Sequence, residues 1–185
     1  VTQSIFEVAQ QKNLLMDSKL TLFSQIISKI DRVIFKKIVI EKKTDYRNKG
    51  FDSWNHLVSM LFCHFAKSTS VRDISNGLRS ATGNLNHLGI KTAPSKSSIS
   101  YQNGKRDADL FKDVYFKLLE QLGQHTKERR IKLKIKVPVY LLDSTLISLC
   151  LSLFDWATYR TKKGAVKMHT LLEYDGKLPV YVNIT

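Results

Sequence analysis

The chain has 185 residues, 43% of them hydrophobic, so it carries enough apolar surface for a buried core, and this excludes a disordered tail. Thirty Lys and Arg against sixteen Asp and Glu give a formal net charge of +14, which favours a polyanionic partner because neutralising phosphates releases counterions. Residues 1–100 hold fifteen basic and seven acidic side chains and residues 101–185 fifteen and nine, so the charge is not confined to a basic arm. A soluble basic protein with an evenly solvated surface remains the alternative. Cys63 and Cys150 lie in no Cys-x-x-Cys or Cys/His zinc spacing, so no zinc is expected and both thiols read as small apolar groups in a reducing compartment. The apolar run "TLISLCLSLF" lies between Asp143 and Asp155 and is too short to span a bilayer. "VTQSIFEVAQ" shows no signal-peptide pattern. The missing initiating Met and the end on "VYVNIT" read as a fragment.

In chain order, "LTLFSQIISKI" and "RVIFKKIVI" predict two short helices broken near Asp31. In "FDSWNHLVSMLFCHFAKS", Trp54, Val58, Leu61 and Phe65 recur at helical spacing and Phe51, Leu57 and Phe62 widen the stripe, giving an amphipathic helix with Asp52 or Ser53 as N-cap. Ser70-Val-Arg-Asp73 is a capping-box-like start for a helix through about Arg79. A small turn near Asn84–Leu88 follows, and Pro94 and Ser95 open a polar helix through Asn103. The pair resembles a helix-turn-helix with an overlong connection; two surface helices of an all-α domain are the alternative. "DADLFKDVYFKLLEQLG" places Leu110, Val114, Leu118 and Leu122 on one helix face, with Gly123 as its stop. After residue 125 the period becomes two: Ile131, Leu133, Ile135, Val137 and Val139 alternate with Lys132, Lys134 and Lys136. "AVKMHTLLEY" and "LPVYVNIT" are two further strands joined by "DGK", a hairpin signal. The expectation is an α+β chain, with a helical domain over 1–124 (helix-turn-helix-like near 70–106) and the start of a sheet domain over 125–185.

For chemistry, "SKSSISYQNGKR" stands out. Gln102 and Asn103 can read adenine edges, while Lys96, Ser98, Lys105 and Arg106 can hold phosphates, so a polar helix with a basic end suits a DNA groove. A solvated helix fits equally. "KERRIKLKIK" is either a phosphate-tracking strip or an edge strand guarded by lysines. His56 and His64 share a face but have no ligand partners in zinc spacing. Asp143, in "VYLLDSTLISL", reads at the end of an apolar strand. It is either a turn cap or an oxygen ligand for a hard divalent cation.

Further residues decide between those readings by resemblance. "YLLDSTLISLCLSLFDWATYRTKKGAVKMHTLLEYDGKLPVYVNIT" resembles the first three strands of the insertion-sequence-four family of DDE transposases, in which Asp-Ser-Thr ends the first strand of an RNase H-like fold. "FDSWNHLVSMLF", "SVRDISNGL" and "NHLGI" resemble the helical domain often found ahead of it. The resemblance implies that Asp143 is the first catalytic acid and binds Mg²⁺ (or Mn²⁺), with no nucleotide cofactor. It implies that Lys167 and His169, the Lys-x-His of the second strand, lie near DNA and that Arg160, Lys162 and Lys163 contact phosphates. It further implies double-stranded DNA as partner (element ends and target), a possible homodimer, no membrane, and a cytoplasmic, nucleoid-associated location. The second Asp and the Glu of the triad match nothing in this sequence, so the chain alone is expected to be catalytically incomplete, binding DNA or competing with a complete enzyme.

Overall fold

The computed structural model describes residues 22–48, 50–81, 84–126, 137–149, 164–174 and 178–185. The chain divides into two compact units, Val1–Leu110 and Phe111–Thr185. Among the described residues the class is mixed α and β, with helices first and then a three-stranded antiparallel sheet.

In the first unit, residues 22–27 are helical and the chain breaks at Asp31. The Asp31 carboxylate accepts the N–H groups of Val33 (2.8 Å) and Ile34 (3.1 Å) and so caps α1, Arg32–Glu41. Asp52 caps α2, Ser53–Ala66, through the Asn55 N–H at 2.7 Å; that helix closes at Lys67 in the left-handed conformation. Ser70 caps α3, Val71–Ser80, through the Asp73 N–H at 3.1 Å. The Asp73 carboxylate reaches back to Thr69, N–H at 3.2 Å and Oγ1 at 2.9 Å, one residue earlier than a capping box would place it. Hydrogen bonds from Ser70 and Thr69 hold its pKa below the ordinary value. A 3₁₀ turn, Leu85–Leu88, ends at Gly89 with φ 70°, where a Cβ would lie 2.0 Å from Nη1 of Arg32. Ser95 then caps α4, Lys96–Lys105, through the Ser98 N–H at 3.1 Å.

Trp54 is the hub of the core. Its ring meets Phe35 edge-on at 5.2 Å between centroids, Arg32 lies over it at 4.4 Å, and its indole N–H donates to the Leu88 carbonyl at 2.8 Å. One residue thus joins α1, α2 and the 3₁₀ turn, combining large apolar burial with a satisfied polar tip. Helices α2, α3 and α4 are in mutual contact. Ile74, Leu78 and Ile99 are fully buried, and Ser75 Oγ donates to the Pro94 carbonyl at 2.8 Å, tying the entry of α4 to α3. Gly77 permits the close approach of α3 to α2, since a Cβ there would lie 2.6 Å from the Phe62 ring.

The buried face of α2 is wider than the expected stripe. Ser53, His56, Ser59 and Cys63 are buried with Trp54, Leu57, Val58 and Phe62, while Phe65 turns outward at 44% exposure. A helix contacted from several sides buries more than one stripe.

Helix α5, Asp109–Thr126, runs through Gly123 instead of stopping there. A helical glycine costs only about 1 kcal/mol relative to alanine, too little to end a helix by itself. The division between units falls inside α5. Residues 127–136, where the alternating pattern lies, are outside the described residues.

The second unit contains β1, Tyr140–Leu149, β2, Gly164–Glu173, and β3, Pro179–Ile184, in the order β1-β2-β3, all antiparallel. The β1–β2 ladder is unbroken from Tyr140↔Glu173 to Leu149↔Gly164, and β2–β3 shifts register between Leu171 and Leu172. Asp143 pairs with Thr170 within the ladder. Its expected place at the strand end is therefore corrected, because pairing with β2 carries the strand on through "STLISL". Among the described residues no helix is long and apolar enough to cross a membrane.

Candidate nucleic-acid interface

Helix α4 buries little of itself, with Ile99 its buried residue, and its remaining polar side chains divide by helical spacing. Ile99, Asn103 and Arg106 follow i, i+4, i+7 and turn inward. Arg106, expected from the sequence to hold a phosphate, has a side chain only 1% exposed. Its guanidinium donates to Asp45 Oδ1 at 3.1 Å, to the Phe51 carbonyl at 3.2 Å and to the Asp52 carbonyl at 3.3 Å. That expectation is corrected: a guanidinium committed to three internal acceptors is a structural clamp between the end of α4 and the start of α2. Burial lowers its pKa, while Asp45 and Asp52 raise it.

Asp45 is the other half of the clamp. Its Oδ1 also accepts the Ser53 N–H and hydroxyl, each at 2.8 Å, and Asn48 Nδ2 at 3.3 Å. His56 lies 1% exposed beside this cluster, its ring 5.7 Å from that of Phe51. Burial, then the charge of Arg106, lower its pKa to about 4, opposed by a hydrogen bond with Asn103. Asn103, expected to read a base edge, is half-buried.

The adjoining face of α4 does something different. Ser98, Tyr101, Gln102 and Lys105 form one wall of a cavity of about 470 Å³, and Lys42, Thr44, Tyr46, Arg47, Asn48 and Phe51 form the other. The second wall is a tight turn in which Lys43 and Arg47 adopt left-handed backbone (φ 52° and 56°), held by the Asp45 hydrogen bonds. Tyr46 and Tyr101 are 72% and 61% exposed. Each has a cation over one face of its ring: the Arg47 guanidinium 5.2 Å from the Tyr46 centroid, and Lys105 Nζ 5.2 Å from the Tyr101 centroid and 3.0 Å from its hydroxyl. The lining carries Lys42, Arg47, Lys105 and the buried Arg106 against a single acid, Asp107. Concave walls of one sign focus potential and concentrate anions.

The structure therefore brings together Ser98, Gln102 and Lys105 of the sequence-predicted set and leaves Lys96 exposed at the start of α4, off the cavity lining. Sequence reasoning missed Lys42, Tyr46 and Arg47. Their signal, "KKTDYRNKG", was visible as a basic aromatic turn, but its partner wall lies some fifty residues later.

In the second unit Asp143 is exposed and accepts the Thr145 hydroxyl at 2.8 Å. Directly paired residues share a face, so Asp143 sits with Thr170, whereas Lys167 and His169 lie on the other face, opposite Leu146 and Ser144. Among the described residues no three Asp, Glu, His or Cys groups converge. Arg160, Lys162 and Lys163 lie outside the described residues.

Residues 18–91 match the model of a domain of unknown function (DUF4372). That span contains the loop wall of the cavity and ends before α4. No curated protein and no solved structure matches the chain.

Proposed function

We propose that the helical unit binds double-stranded DNA and that the chain is part of a cut-and-paste transposase of the insertion-sequence-four type, its sheet unit being the start of an RNase H-like catalytic domain. The observation that carries the DNA reading is the face of α4 on which half-buried Ser98 and Gln102 and exposed Lys105 line a cationic, tyrosine-flanked cavity. A polar helix held by a few internal contacts and displaying amide and cationic groups has the chemistry to lie against phosphates and base edges. Arg106 and Asp45 serve this face by fixing the angle of α4.

Support for the transposase part comes from the Asp-Ser-Thr, Trp-Ala and Lys-x-His residues, from the antiparallel order of the three strands, and from a helical family match ahead of them. In a complete enzyme Asp143 would be one carboxylate of a Mg²⁺-binding set serving strand cleavage and transfer.

The test is selection from a pool of random duplexes by the whole chain. The wild type is expected to enrich a sequence motif, Gln102→Ala to relax it at one or two positions, and Lys105→Ala to weaken binding evenly across sequences. A pool recovered without enrichment would remove α4 as a base reader.

A further inference from the structure

The cavity beside α4 has a shape that groove recognition does not use. Its roughly 470 Å³ corresponds to a space about 10 Å across if taken as a sphere, within the range of small-molecule pockets. A B-DNA major groove alone is about 12 Å wide, so an intact duplex does not enter. A single nucleotide unit does. The two exposed tyrosines, Tyr46 on the loop wall and Tyr101 on the helix wall, are flat apolar surfaces beside cations. Sites for unpaired strands are built from this combination, in which any base can stack on an aromatic ring while cations track the backbone.

We propose that this cavity receives one unpaired nucleotide of a DNA strand, its base against Tyr46 or Tyr101 and its phosphate at Lys42, Arg47 and Lys105. The inference rests on the reading of the helical unit as a DNA binder and deepens it. While α4 engages the duplex, the cavity holds a nucleotide that has left the duplex, so the preferred ligand is a duplex with an unpaired strand at its end. The wall geometry is fixed in advance by the Asp45–Arg106 clamp behind it, which limits the ordering that binding must impose.

The experiment measures affinity of the whole chain by fluorescence anisotropy for five probes: a blunt duplex, the same duplex with a short 3′ tail, with a short 5′ tail, and with each of the two tails made abasic. At least one tail is expected to tighten binding about five-fold or more, the range that one stacked base provides. The abasic tail should lose that gain. Tyr46→Ala or Tyr101→Ala should lose it too, while the corresponding Tyr→Phe variant keeps it. Both tyrosines are exposed, so unaltered thermal unfolding is the check that the variants fold. Equal affinity for blunt and tailed duplexes overturns the proposal and leaves the DNA reading standing, as does a gain that survives the abasic tail or both Tyr→Ala variants. A free deoxynucleoside monophosphate that displaces the tailed duplex as well as an unlabelled tail does would assign the cavity to a small nucleotide instead. Failure to bind any of the probes overturns both readings together.

Discussion

Two cationic residues adjacent in sequence, Lys105 and Arg106, do opposite work. Lys105 borders the cavity, whereas Arg106 is buried against Asp45. Removing one partner of a buried ion pair leaves an uncompensated charge and costs about 3–5 kcal/mol, so Arg106→Ala and Asp45→Ala should each lower the free energy of unfolding by roughly that amount, towards the lower end because Asp45 is 29% exposed. Urea denaturation checks this, and Lys105→Ala should shift the midpoint by no more than a surface substitution does. His56 adds a pH dependence. It protonates near 4 in the folded chain against an ordinary 6.5, so between those values the unfolded chain binds the extra proton. The associated stability, about 3 kcal/mol, is complete above pH 6.5 and lost as the pH falls towards 4. Urea midpoints at pH 7 and pH 4.5 should differ accordingly, and His56→Gln should flatten the difference.

Among the elements, helix starts were legible because they rest on local chemistry. Asp31, Asp52, Ser70 and Ser95 all cap the helices that follow them, each through a side-chain oxygen two or three residues from the N–H it accepts. Ser70→Ala should accordingly cost about 1 kcal/mol, measurable as a lowered unfolding midpoint, and Gly77→Ala should destabilise further by driving a methyl into the Phe62 ring. Where neighbours distant in sequence decide, the reading failed. Gly123 did not end α5, Phe65 was not core, and Asp143 sat inside a strand, because none of these outcomes is set by the residues next to it. The site was half legible for the same reason. Ser98, Gln102 and Lys105 follow from the polarity of α4, but the inward turn of Asn103 and Arg106 depends on Asp45 and His56, and the second wall depends on a turn half a hundred residues upstream.

For the whole molecule, both described units leave groups uncovered. In the sheet, Leu142 and Leu146 are 76% and 71% exposed on the same face of β1, an arrangement that promotes association. Leu142→Lys with Leu146→Lys should reduce light scattering at high concentration without lowering the unfolding midpoint. In the helical unit the cavity lining is cationic, and the central claim is that this surface holds DNA phosphates. The measurement that tests it most directly is the salt dependence of duplex binding by the whole chain. Each phosphate contact contributes about −0.9 to the slope of log K against log salt. A steep negative slope is expected for the wild type and, on a duplex with an unpaired tail, a slope shallower by about 1 for the triple variant Lys42→Ala, Arg47→Ala, Lys105→Ala, the contribution of the one phosphate those cations hold. An identical slope for the two proteins would contradict it.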